Sequence, residues 1–82
     1  MKHHVQKRAR ERYGVDLGAA DIRAMQHQAH NKMGVLLGLL ADERERWLLK
    51  VKGTVMIAIY RRPKNEIATV LPVEYSARRG RR

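Results

Sequence analysis

From Trp47 to Pro72 the chain carries three largely apolar runs, separated twice by turn residues. Trp47, Leu49 and Val51 alternate with Leu48, Lys50 and Lys52, the period of two that burial of one face gives a strand. Gly53 marks a hairpin turn, because glycine takes a positive φ at no steric cost. Val55, Ile57 and Ile59 then alternate with Thr54, Met56, Ala58 and Tyr60. Arg62-Pro63-Lys64-Asn65 fits a turn with proline at its second position, where φ is already set. Ile67 to Leu71 predicts a further strand, and Pro72 closes it by removing a ladder donor. These three strands form a meander, and the residues before it must cover one of its faces.

Residues 3–13 carry helical spacing. Val5, Ala9 and Tyr13 lie at i, i+4 and i+8 as a buried stripe, with His4, Arg8 and Arg12 in a parallel row beside it. Gly14 is placed to end this helix in the left-handed region, and Val15 to pack back onto it. A second helix is predicted from Ala19 to Lys32. Gly18 stands at its N-cap, Asp21 in its first turn, and Ile22, Met25 and Ala29 on its apolar face. Asn31 and Gly34 are the expected breakers. Val35–Leu40 is apolar on both faces. Periodicity alone allows a short buried helix there, but the polar turn Ala41-Asp42-Glu43-Arg44 favours a fourth strand with a bulge or close approach at Gly38. The expected fold is α+β, with two N-terminal helices on a four-stranded antiparallel meander over residues 1–72. Residues 73–82 read as a basic, disordered tail.

With 82 residues the chain has room for one modest core. It lacks cysteine, which excludes disulfides and thiolate metal sites and suits a reducing cytoplasm. The longest apolar run, Val35–Ala41, is too short to span a membrane. Eighteen Lys and Arg against eight Asp and Glu give a net charge of +10, so a polyanion such as RNA is the expected partner. Arg78, Arg79, Arg81 and Arg82 supply part of that excess.

His4-x-x-x-Arg8-x-x-x-Arg12-Tyr13-Gly14-Val15 and Ile67-Ala68-Thr69-Val70-Leu71-Pro72, with Asp21-Ile22, Trp47, Gly53 and Tyr60 between them, resemble the small RelE-like ribonucleases. The similarity is to compact phage and bacterial members of the barnase–EndoU–colicin–RelE superfamily, and it spans residues 3–72. The resemblance implies toxin-type RNA cleavage without a metal or other cofactor, in the cytoplasm, with an antitoxin or a host protein complex as a further partner. In such chemistry the RNA's own 2′-hydroxyl attacks phosphorus. The protein supplies a base, an acid and cations for the charged phosphorane. His4 suits the acid or base role because an imidazole titrates near neutral pH. Arg8 and Arg12 suit phosphate, which a guanidinium meets with a planar fork of donors. Thr69 matches a hydroxyl placed near such sites, and Tyr60 could donate a proton or stack on a base. Arg61, Arg62, Lys50 and Lys52 complete the expected nucleic-acid-binding set.

Each of these residues also has a plainer role open to it. Arg8 and Arg12 can pair with Glu11 or solvate the helix, Thr69 can be an ordinary strand residue, and Tyr60 can cap the sheet edge. Trp47 reads as a core anchor. His27 and His30, at i and i+3, have metal-ligand spacing without a third ligand nearby. Two other functional classes stand beside the nuclease. One is a non-catalytic, phage-encoded inhibitor that occupies RNA or a host nucleic-acid-processing complex through a basic surface. The other is an accessory protein whose Val35–Leu40 edge pairs with another chain.

Overall fold

Val5 and Ala9 are 1% and 0% exposed, and they set the inward face of α1 (Lys2–Tyr13). This is seen in a computed structural model, which describes residues 2–72, with side chains from His4 onward; the expected tail at 73–82 lies outside the described residues. Gly14 ends α1 at φ +66°, its N–H on the Arg10 carbonyl at 3.0 Å, the left-handed cap that its missing Cβ permits. Val15 packs back on the core.

In α2 (Ala19–His30), Ile22, Met25 and Ala29 are buried. The Asp21 carboxylate accepts the Gly18 N–H at 2.8 Å, satisfying a donor at the positive end of the helix. This helix stops two residues short of the expected Lys32. Lys32 itself takes the left-handed conformation at φ 56°. The N–H groups of Lys32 and Met33 then reach the carbonyls of Ala29 and Gln28 at 3.2 and 2.8 Å, a Schellman closure with lysine where glycine is usual. Gly34 is a close-approach residue. A Cβ on it would lie 2.5 Å from the Leu48 carbonyl oxygen.

The sheet comprises β1 (Val35–Leu40), β2 (Arg44–Val51), β3 (Thr54–Arg61) and β4 (Glu66–Leu71). Its order is β1-β2-β3-β4, antiparallel throughout. The ambiguous Val35–Leu40 run is therefore a strand, and the α+β layout expected from the sequence is present. In β1, Leu36 pairs with Trp47 and Gly38 with Arg46, leaving Leu37 as the extra residue of a bulge. A second bulge leaves Ala68 unopposed between Ile67 and Thr69. The β2–β3 turn is Lys52-Gly53 with both φ values positive, 53° and 72°, the conformation whose twist suits a two-residue hairpin. A short 3₁₀ turn at Arg62–Lys64, ended by left-handed Asn65, joins β3 to β4.

Trp47, Leu49, Val51, Met56, Ala58, Tyr60, Ile67 and Val70 face the helices and form the core with them. α1 packs on β4 and α2 chiefly on β2. Cross-strand partners project to one side. Arg44 with Arg61, Arg46 with Ile59, and Lys50 with Val55 therefore occupy the opposite face of the sheet. No helix of the described residues is long and apolar enough to cross a membrane.

Candidate functional site

The buried Val5–Ala9 stripe fixes how α1 rolls against β4, so the neighbouring His4–Arg8–Arg12 row lies over that strand's outer edge. The Nε2 atom of His4 stands 3.1 Å from Oγ1 of Thr69. Nη1 of Arg12 donates to the Val70 carbonyl at 2.7 Å. Thr69 reaches this edge because of the bulge at Ala68. Ile67 and Val70 point into the core, while Thr69 pairs with Ile59 on the other face; bulges commonly re-aim a side chain in this way. Arg8 sits between His4 and Arg12 on the helix, its Nη1 2.9 Å from a carboxylate oxygen of Glu11 in an exposed pair. Such pairs are worth at most about 1 kcal/mol, so Arg8 can exchange Glu11 for a phosphate at small cost.

Tyr13 anchors the far end of this edge. Its hydroxyl donates to the Leu71 carbonyl and accepts the Ile57 N–H at 3.0 Å, bridging β3 and β4 where they part. Burial pushes this hydroxyl's pKa above the usual tyrosine value, against smaller opposing effects of the Ile57 hydrogen bond and Arg12.

Tyr60 and Arg62 are not brought to this edge. Tyr60 is 0% exposed, and its hydroxyl donates to Oδ1 of Asn65 at 2.6 Å with Nδ1 of His30 at 3.3 Å. Burial raises its pKa. A side chain so enclosed neither stacks on a base nor delivers a proton to a bound strand, which corrects the expectation for Tyr60. Arg62 spends its donors inside the fold. Nε and Nη2 grip Glu45 at 2.9 and 3.0 Å, Nη2 and Nη1 also reach the Ala29 and His30 carbonyls, and the guanidinium lies 5.2 Å from the Tyr60 ring centroid. The Glu45 carboxylate also accepts Nε1–H of Trp47 at 2.7 Å. The hydrogen bonds from Arg62 hold Glu45 below the ordinary carboxylate range, outweighing desolvation. This cluster closes the negative C-terminal end of α2, and Arg62 is a structural residue here.

The other expected cations are dispersed. Nζ of Lys52 donates to the Asp16 carbonyl at 2.7 Å and lies 3.7 Å from the Asp21 carboxylate, tying the hairpin to the α1–α2 loop. Arg61 lies 3.8 Å from Glu66, and Lys50 is exposed. Arg44 and Arg46 share the sheet face opposite α1 and α2 with Arg61 and Lys50, a grouping the sequence signals through the period of two that places them in step with Lys50. His27 and His30 face Asn31 and Tyr60 respectively, and the described residues contain no group of three metal-ligating side chains. A cleft of about 560 Å³ lined by Leu39, Leu40, Arg44, Glu45 and Pro63 opens beside β1, at the sheet edge remote from His4 and Thr69. No family model matches this chain, and no curated protein or solved structure matches it.

Proposed function

We propose that this protein is a metal-independent, RelE-like endoribonuclease whose reacting groups lie along the α1–β4 edge. The observation that carries this is the His4–Thr69 contact, with Arg8 and Arg12 continuing the same helical row. A general base must meet the proton it removes within hydrogen-bond reach, and an exposed imidazole braced by a hydroxyl meets that need for an RNA strand laid on the edge. His4 takes the 2′-hydroxyl proton as the 2′-oxygen attacks phosphorus. Arg8 and Arg12 stabilise the charge that builds on the non-bridging oxygens. The P–O5′ bond breaks, solvent at this open site protonates the departing oxygen, and the products are a 2′,3′-cyclic phosphate and a 5′-hydroxyl. Lys50 and Arg61, on the sheet face opposite α1 and α2, supply cations for the flanking backbone.

A second reading, a non-catalytic binder of RNA or of a host nucleic-acid-processing complex, is favoured by the enclosure of Tyr60 and the internal use of Arg62, which leave a smaller reactive set. Replacing His4, Arg8 and Thr69 together separates the two. Loss of cleavage, with an unchanged circular dichroism spectrum and melting curve, supports the nuclease; undiminished cleavage contradicts it. Wild-type protein that binds RNA with steep salt dependence and leaves it intact identifies the binder.

A further inference from the structure

Arg44 of β2 and Arg61 of β3 stand directly opposite each other, on the sheet face opposite α1 and α2. Like charges so placed repel, and no close carboxylate neutralises either one. Among the described residues, the polar partner of the Arg44 side chain is the Ala41 carbonyl, which accepts its Nε–H at 3.2 Å. That of Arg61 is Glu66, whose carboxylate lies 3.8 Å from Nη1, too far for a hydrogen bond. The Arg61 and Glu66 side chains are 40% and 42% exposed, so their attraction is weak and readily exchanged. Glu45 is turned to the helix side and held by Arg62, and Glu43 is exposed in the turn before β2.

The register places this pair beside the α1–β4 edge. Ile59 pairs with Thr69, and Arg61 follows Ile59 by two residues on the same face of β3. Arg61 is therefore the diagonal neighbour of Thr69, about 7–8 Å away between backbones, and Arg44 lies about 5 Å further on. We propose that Arg44 and Arg61 together clamp a backbone phosphate of single-stranded RNA, beside the phosphate that His4 and Thr69 receive. Two guanidinium forks can share the oxygens of one phosphodiester, and its negative charge offsets their repulsion. Glu66 gives up Arg61 at small cost, as an exposed partner does. The path of the strand rests on the α1–β4 reading, whereas the clamp itself can be measured without cleavage.

Fluorescence anisotropy of a single-stranded oligodeoxynucleotide, which lacks the 2′-hydroxyl and is not cut, tests the clamp apart from the nuclease. Arg44→Gln with Arg61→Gln should bind it about tenfold more weakly than wild type. The slope of log affinity against log salt should fall by about 0.7, the share of one phosphate on a single strand. This variant should melt no lower than wild type, because it removes a like-charge pair. Arg23→Gln, which removes an exposed cation of α2, should change the affinity far less. In the wild type the oligomer should shift the amide resonances of Arg44, Arg61 and Thr69 together. Unchanged affinity and slope in the double variant, a loss of affinity that comes with a lower melting temperature, or an equal loss in Arg23→Gln would overturn the proposal. So would resonance shifts that spare Arg44 and Arg61, or tighter binding of an acidic peptide than of the oligomer.

Discussion

Oγ1 of Thr69 and Nε2 of His4 lie 3.1 Å apart although 65 residues separate them. The contact joins the first turn of α1 to β4, and it holds an exposed imidazole at a fixed place on that strand's edge. Under the proposed chemistry Thr69 is a positioning residue. Thr69→Val should slow RNA cleavage by about tenfold, the loss of roughly 1.4 kcal/mol, and Thr69→Ser should recover most of it. A rate equal to wild type would place Thr69 outside the site.

Tyr13 contributes through one atom. Its hydroxyl serves the Leu71 carbonyl and the Ile57 N–H together, so Tyr13→Phe leaves two part-buried backbone groups without their partner. Urea unfolding should show a loss of about 1–3 kcal/mol, with a smaller change if water replaces the hydroxyl.

The elements that could be read from the sequence are those fixed by local pattern. The alternation from Trp47 to Val51 and the Val5–Ala9 stripe report burial directly, the turn at Gly53 reports a positive φ, and each appears in the fold. The His4–Arg8–Arg12 row was legible as a row because helical spacing is local. Its meeting with Thr69 was suggested only by resemblance, since the contact depends on the bulge at Ala68, which no residue type announces. Tyr60 and Arg62 were misjudged for a related reason. An Arg beside a turn proline looks available, and only the packing of α2 on the sheet brings the Ala29 and His30 carbonyls and Glu45 within its reach. The expected breaker Asn31 is the C-cap of α2, and the helix ends two residues before Lys32 because the left-handed residue that closes it is that lysine, a residue type that gives no local signal of a cap.

Two neighbouring backbone positions should respond in opposite directions. Lys32→Gly relieves a left-handed lysine and should stabilise the fold by about 0.5–1 kcal/mol. Gly34→Ala drives a Cβ toward the Leu48 carbonyl and should destabilise it by about 1–3 kcal/mol. Thermal melts of the two variants measure both effects, and a Gly34→Ala protein as stable as wild type would refute the close approach.

Glu45 makes stability depend on pH. Its folded pKa is lowered from an ordinary value of 4.5, so its contribution is complete above that value and is lost as pH falls through the lower, folded pKa. Glu45→Gln should cost about 2 kcal/mol near neutral pH by weakening the hydrogen bonds with Arg62. The gap between variant and wild type should narrow on acidification below 4.5. A gap constant with pH would show that Glu45 acts by packing alone.

The most direct test of the α1–β4 site is cleavage of RNA, free and in translating ribosomes, by purified protein in EDTA, with His4→Ala alongside. The expected result is cleavage that survives chelation, leaves 2′,3′-cyclic phosphate ends and disappears in the folded His4→Ala protein. Equal cleavage by both proteins, or intact RNA with the wild type on either substrate, would contradict the assignment.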